Sequence, residues 1–119
     1  MTSLEGKVAL ITGTSAGLGA ATAKLFAERG ASVFGIARDA DRMAEVFADV
    51  PGGKFASVDI SSPAACKEAV AECVATFGRL DVLANVAGFH KMRHTQTTSD
   101  EDWERDLAVN LNGPFFLSR

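Results

Sequence analysis

The chain has 119 residues and a formal net charge of −3, with 47% hydrophobic and 23% charged residues. This length corresponds to one domain at most, and the composition is that of an ordinary soluble globular protein. The mildly acidic balance gives no reason to expect nucleic acid or an anionic membrane as a partner. The sequence has no apolar run long enough to span a bilayer, and its start, MTSLEGK, lacks the apolar core of a secretory signal. We therefore expect a cytoplasmic protein.

A glycine-rich segment follows the first predicted strand. Residues 8–11, VALI, form an unbroken apolar run, which is typical of a parallel strand buried on both faces. Gly13, Gly17 and Gly19 then precede a helical pattern, so backbone N–H groups and a helix N-terminus would approach a phosphate. Gly13 would allow the tight turn, Gly17 the approach of the ligand, and Gly19 close packing of helix and strand. The alternative is an ordinary strand-to-helix turn with incidental glycines.

The rest of the chain alternates between helical and strand patterns. The first helix is predicted at about residues 18–29, with Ala21, Leu25 and Phe26 toward the sheet and Gly30 at its end. Further strands are predicted at residues 31–38, 54–60 and 80–88, and further helices at residues 39–50, 63–77 and from 103 onward. This order predicts an α/β fold: an incomplete Rossmann-type doubly wound parallel sheet of four strands, in the order 3-2-1-4.

Two residue pairs have side chains of the kind that form disulfides or bind metal ions. Cys66 and Cys73 lie seven apart in one predicted helix, which separates their Cα atoms by roughly 10 Å, too far for a disulfide. We expect both to be reduced and to face the core. His90 and His94 lie four apart in a polar loop without a third ligand, so we expect no metal site, although they could border a substrate pocket.

Four ordered motifs resemble those of the short-chain dehydrogenase/reductase family. Residues 12–19 have the spacing T-G-x-x-x-G-x-G of its cofactor loop, and Asp59-Ile60 matches a family position at the end of the third strand. Residues 85–88, NVAG, resemble its N-N-A-G signature, with Val86 in place of the second asparagine. Val109-Asn110, Gly113 and Phe115 resemble V-N-x-x-G-x-F. The resemblance implies that the dinucleotide is held by Gly13, Ser15, Ala16, Gly17, Leu18, Gly19, Arg38, Asp59, Ile60, Asn85, Ala87 and Gly88.

The resemblance also implies individual roles. Asp59 would meet the adenine amino group while Ile60 packs against the ring. Asn85 would tie adjacent strands together near the adenosine ribose, and Ala87 and Gly88 would keep the backbone open beside the cofactor. Asn110 would be a catalytic residue, because a local break of its helix, helped by Gly113 and Pro114, would free backbone groups to hold a water on a proton relay. The alternative for Asn110 is a hydrogen bond within its own helical turn.

The end of the second strand bears on the choice of cofactor. A carboxylate there would accept hydrogen bonds from the adenosine ribose, but the residues present are Ala37 and Arg38. A guanidinium can bind a 2′-phosphate through two parallel hydrogen bonds, which favours NADP(H) over NAD(H). Asp39 is the competing candidate, since it would serve a ribose if the strand ended later. NAD(H) therefore stays possible.

The resemblance implies an oxidoreductase that transfers a hydride between nicotinamide and a carbonyl or alcohol substrate, in a homo-oligomer. Its acid/base tyrosine, with a lysine and a serine, would lie further along a chain roughly twice this length, and these 119 residues contain no tyrosine. We expect residues 1–119 to be the N-terminal part of one dinucleotide-binding domain, cut within the helix of Asn110. Such a piece should be inactive alone, and because apolar residues at 115–117 and strand four are left uncovered it should associate or be only partly ordered.

Two other functions were weighed against this interpretation. One is a non-catalytic dinucleotide-binding or regulatory module that ends at Arg119. The other is a nucleotide-fold methyltransferase, which would need an acidic residue for its cofactor ribose where Arg38 stands.

Overall fold

Four parallel strands form a single sheet in the computed structural model, which describes residues 3–89 and 93–119. The strands are β1 (Val8–Thr12), β2 (Ser32–Ala37), β3 (Lys54–Ser57) and β4 (Val82–Ala84). Their order is β3-β2-β1-β4, and each neighbouring pair is parallel. The predicted doubly wound sheet with strand order 3-2-1-4 is confirmed.

Helices connect and cover the strands. They are α1 (Gly17–Glu28), α2 (Ala40–Phe47), α3 (Pro63–Phe77), α4 (Asp100–Leu107) and α5 (Gly113–Ser118). A 3₁₀ turn, Thr95–Thr97, precedes α4, and a π-helical segment, Ala108–Asn112, joins α4 to α5. Within residues 3–89 and 93–119, none of the helices combines the length and the apolar composition that crossing a membrane would require.

The core lies on both faces of the sheet, because consecutive side chains of a strand point to opposite sides. Val8 and Leu10 of β1 belong to one buried cluster, which also contains Cys66 of α3. Ala9 and Ile11 belong to a second cluster on the other face, with residues of α1 and α2. All of β1 is buried, as the unbroken apolar run predicts for a central strand.

The face that α1 turns to the sheet differs from the predicted one. The buried residues of α1 are Gly19, Ala20 and Ala23, whereas Ala21 is exposed and Leu25 is 47% exposed. The close contact of Gly19 with the preceding turn determines which face of α1 lies against the sheet. Leu25 is two residues after the buried Ala23, about 200° around the helix, and therefore lies on the opposite side. Of the three residues expected there, only the half-buried Phe26 packs against the core.

Two other apolar positions differ from expectation: Val74, which the helical pattern at residues 63–77 places on one apolar stripe with the two cysteines, and Leu117. Val74 of α3 is 41% exposed, while Cys66, Ala69 and Cys73 of the same helix are buried. Leu117, expected to be uncovered, is only 4% exposed because it packs in the cluster beside α3, whereas Phe115 is 57% exposed.

The two cysteines are reduced and buried, as predicted. Burial penalises the thiolate and raises the pKa of Cys73 to about 11. It also raises the pKa of Cys66, with a smaller contribution from the nearby Asp59 carboxylate. These thiols are therefore core residues rather than nucleophiles.

β4 is much shorter than the strand predicted at residues 80–88. Beyond its end, a side chain takes the place of the backbone hydrogen bonds between neighbouring strands. Beyond Ala84, the hydroxyl oxygen of Thr12 accepts hydrogen bonds from the backbone N–H groups of Val86 at 2.9 Å and Ala87 at 2.8 Å. Thr12 is 1% exposed. One buried hydroxyl thus attaches the segment after β4 to the end of β1.

We predict that Thr12→Val destabilises the protein by about 2–3 kcal/mol, because the valine keeps the shape of the side chain but leaves both N–H groups without their acceptor. Thr12→Ser is the control: it keeps the oxygen and loses one methyl group, so it should cost about 1 kcal/mol. Urea unfolding of both variants measures the difference. Equal losses would show that the hydroxyl does not hold the two segments together.

Candidate functional site

A cavity of about 340 Å³ lies at the carboxyl ends of the strands. β1 lies in the middle of the sheet, with β2 on one side and β4 on the other. The connections that follow these strands therefore diverge at the carboxyl end of β1. Ligands of open parallel sheets bind at such a point. The predicted site residues that line the cavity are Gly13, Ser15, Ala16, Leu18, Gly19, Arg38, Asp59, Ile60, Ala87 and Gly88.

The turn between β1 and α1 is packed too closely for side chains at two of its glycines. A Cβ atom on Gly13, which has a φ of +72°, would lie 2.9 Å from the Cα atom of Ala87. A Cβ atom on Gly19 would overlap the carbonyl oxygen of Gly13. Gly17 differs, since it has a φ of +55° but open space on the side where a Cβ atom would stand. Gly13 and Gly19 thus serve packing, while Gly17 leaves the helix start uncovered.

The N-terminus of α1 lacks the side-chain cap that the next three helices have. Asp39, Ser62 and Ser99 each accept a hydrogen bond from the first turn of α2, α3 and α4, at 3.0, 3.2 and 3.0 Å. Ala16 occupies the same position in α1, and no side chain caps that helix in the described part of the chain. First-turn N–H groups without a side-chain cap and the positive end of the helix dipole therefore face this edge of the cavity, which suits an anion.

Arg38 and Asp39 have different roles at the end of β2. Arg38 is exposed and lines the cavity. The Asp39 carboxylate caps α2 by accepting from the N–H of Arg42, and Asp39 is not among the residues that line the cavity. Because β2 ends at Ala37, Arg38 is the charged side chain of this pair that lies at the cavity.

Asp59 follows β3, and its own loop binds one of its two carboxylate oxygens. Its Oδ1 atom accepts hydrogen bonds from the Ser61 hydroxyl at 2.7 Å and the Ser61 N–H at 3.0 Å. The Ser61 hydroxyl bond is the main cause that lowers the pKa of Asp59, and the nearby Arg105 guanidinium acts in the same direction. The carboxylate is therefore ionised at neutral pH.

Asn85 is not brought to the cavity. It is exposed just after β4 and does not line the cavity, whereas Ala87 and Gly88 do. The connection between adjacent strands that was expected from Asn85 is made by Thr12. The reason is that β4 ends at Ala84, so that Asn85 no longer lies within the paired part of the sheet.

The side chain of Asn110 pairs with the backbone of Phe89. Its Oδ1 atom accepts from the N–H of Phe89 at 2.9 Å, and its Nδ2 atom donates to the carbonyl oxygen of Phe89 at 2.5 Å. The break expected in this helix exists, as the π-helical segment Ala108–Asn112. Such segments are frequent at functional sites. Asn110 thereby fixes the end of the segment after β4, although it does not line the cavity itself.

The cavity wall also contains seven residues that the sequence did not assign to the site, namely Ile36, Ala37, Val58, Val86, Phe89, Arg105 and Val109. Arg105 and Val109 lie four residues apart across the end of α4, on one side of the helix. Since Val109 directly precedes the motif asparagine Asn110, this spacing is the signal that would have placed Arg105 at the site.

Of the two histidines weighed as metal ligands, the structure describes only His94. His94 precedes the 3₁₀ turn, while His90 lies outside the described residues. Among residues 3–89 and 93–119, the structure groups no three His, Cys, Asp or Glu side chains in a geometry that would hold a metal ion.

Comparison with known proteins identifies the family. The sequence model of the short chain dehydrogenase family matches residues 7–119. D-threitol dehydrogenase of Mycolicibacterium smegmatis is 35% identical over 118 residues, covering 96% of this chain and 45% of that protein.

Solved structures agree with the sequence comparison. The 3-ketoacyl-(acyl-carrier-protein) reductase of Brucella melitensis, complexed with NADH, superposes with a TM-score of 0.94 and 37% identity, over 98% of this chain and 49% of that one. A short chain dehydrogenase of Burkholderia cenocepacia in complex with NADP superposes with a TM-score of 0.93 and 34% identity, over 98% of this chain and 50% of that one. The chain spans about half the length of the relatives it matches. It belongs to the short-chain dehydrogenase family.

Proposed function

We propose that this chain forms the cofactor-binding part of an NAD(P)-dependent oxidoreductase that transfers a hydride between nicotinamide and a carbonyl or alcohol substrate. The observation that carries the proposal is the uncapped N-terminus of α1 at one wall of the cavity. A dinucleotide pyrophosphate supplies the acceptors that Ala16 cannot offer to the first-turn N–H groups. Relatives of similar fold have been solved with NADH and with NADP.

The lining residues suit the rest of such a cofactor. Asp59 and Ile60 offer an acceptor and an apolar surface for adenine, and Ala87 and Gly88 leave room beside the bound molecule. When bound, the nicotinamide supplies the hydride-transfer chemistry. The residues described here bind and orient it, and Asn110 fixes the loop at Phe89 next to the cavity.

We further propose that the protein prefers NADP(H). Arg38 is exposed at the cavity and is free to meet a 2′-phosphate, while the Asp39 carboxylate is occupied as the cap of α2. A phosphate ester beside an arginine forms charge-assisted hydrogen bonds, which are stronger than those of a neutral ribose hydroxyl.

The acid/base step would require groups that these 119 residues do not contain, since tyrosine is absent from them. We propose that a tyrosine, a lysine and a serine outside this chain protonate and position the substrate oxygen. Asn110, in its π-helical segment, would contribute free backbone groups to the proton relay.

Gly17→Val should abolish dinucleotide binding, because its side chain would occupy the open space at the start of α1. Gly52→Val is a matched control: Gly52 has a φ of +73°, likewise has open space around it, and lies in the turn before β3. Both variants carry comparable backbone strain, so thermal unfolding should shift similarly while only Gly17→Val loses binding in calorimetric titration. Retained affinity in a folded Gly17→Val protein would contradict the phosphate-binding role.

Arg38→Ala should weaken NADPH binding by about 1.5–3 kcal/mol and leave NADH binding almost unchanged, because only NADPH carries the 2′-phosphate. Titration of the full protein with both cofactors measures this difference. Asp39→Ala is the comparison variant: losing the cap of α2 should reduce stability by about 1 kcal/mol without altering the preference. Equal losses of both cofactors in Arg38→Ala would transfer the ribose-binding role to Asp39.

A further inference from the structure

Arg105 of α4 reaches two loops that line the cavity. Its Nη1 atom lies 3.5 Å from Oδ2 of Asp59 and 3.3 Å from the hydroxyl oxygen of Ser61. The Ser61 hydroxyl in turn donates to Oδ1 of Asp59. These three side chains form a closed network after β3, although Arg105 is 44 residues from Ser61 in the sequence.

The other side of the guanidinium faces the segment after β4. Its central carbon lies 5.8 Å from the centre of the Phe89 ring, in the range of a cation–π contact. The backbone of Phe89 is fixed by both polar atoms of the Asn110 side chain. The side chain of Arg105 is only 29% exposed, so this arginine is part of the cavity wall rather than a free surface charge.

The network leaves one carboxylate oxygen of Asp59 available. Oδ1 already accepts two hydrogen bonds from Ser61, whereas the long contact with Arg105 is the only one that Oδ2 makes with residues 3–89 and 93–119. A carboxylate oxygen accepts more than one hydrogen bond, so Oδ2 can also take one from a ligand. An ionised carboxylate accepts hydrogen bonds and donates none. It can therefore bind an amino group, which donates, but not an oxo group, which only accepts.

We propose that Arg105 is a positioning residue for base recognition: it holds the Asp59 carboxylate so that the cavity binds adenine and rejects a purine with an oxo group in place of the 6-amino group. This inference rests on the proposed binding of a nicotinamide dinucleotide. Removing the guanidinium frees Oδ2 from the contact that orients it and separates the loop of Asp59 from Phe89. The discrimination between the two bases then declines, while the phosphate contacts at α1 remain.

The test compares the dissociation constants of NADPH and of its hypoxanthine analogue, by calorimetric titration of the full protein. The wild type should prefer NADPH by about tenfold, as expected for a hydrogen bond to a charged group. In Arg105→Met, which keeps a long apolar side chain without the charge, the ratio should fall to about twofold or less. Arg79→Met is the matched control, because Arg79 pairs with Asp81 outside the cavity, and the ratio should stay at its wild-type value.

A double-mutant cycle separates positioning from a general loss of structure. In an Asp59→Ala background, Arg105→Met should cause no further change in the base ratio, because the carboxylate through which it acts is gone. Thermal unfolding verifies each fold, and Arg105→Gln replaces Arg105→Met should the latter not fold. The inference, but not the proposed function, would be overturned if the folded Arg105 variant kept the wild-type ratio of the two dissociation constants, as it would if both ligands were weakened equally. A wild-type ratio near one would have the same consequence. Failure of the wild type to bind either dinucleotide would overturn the proposed function as well.

Discussion

The close contact between Gly13 and Ala87 is the constraint on which the cavity depends. A side chain at Gly13 would push the segment after β4 away from β1, and one at Gly19 would push α1 off the turn. The Thr12 hydroxyl then secures the same contact by hydrogen bonds to Val86 and Ala87. Because Gly13 and Gly19 carry no side chains, three chain segments approach one another closely here, and their backbone forms part of the cavity wall.

The fold was predictable because its signals are local. The apolar run at residues 8–11 identifies a central strand, and the helical pattern at residues 63–77 matches the bounds of α3. The strand ends were less predictable. The apolar pattern continues through Val86 and Ala87 and so predicts a longer strand. Their N–H groups instead donate to the Thr12 hydroxyl, a contact that hydrophobic periodicity does not predict.

The site was only partly predictable, for a related reason. Motif spacing identifies residues that lie in the turns after strands, such as Arg38 and Asp59, and both line the cavity. Arg105 belongs to a helix far along the chain, so its proximity to Asp59 depends on how α4 packs over the sheet. Asn85 differs from these residues, because it is exposed beyond the end of β4 and does not line the cavity.

Helix capping also decides which charge the cavity presents. The first N–H groups of a helix need hydrogen-bond acceptors. In α2 the Asp39 carboxylate supplies one, so it is directed into the first turn of that helix. α1 has Ala16 at the same position and leaves its N–H groups for a ligand. The same local requirement thus leaves a positive helix end at the cavity and turns the Asp39 carboxylate away from it. Arg38 adds to that positive field, whereas the Asp59 carboxylate lies after the next strand, in contact with Arg105. A ligand with its phosphates at α1 and a base that donates hydrogen bonds at Asp59 fits this separation of charge.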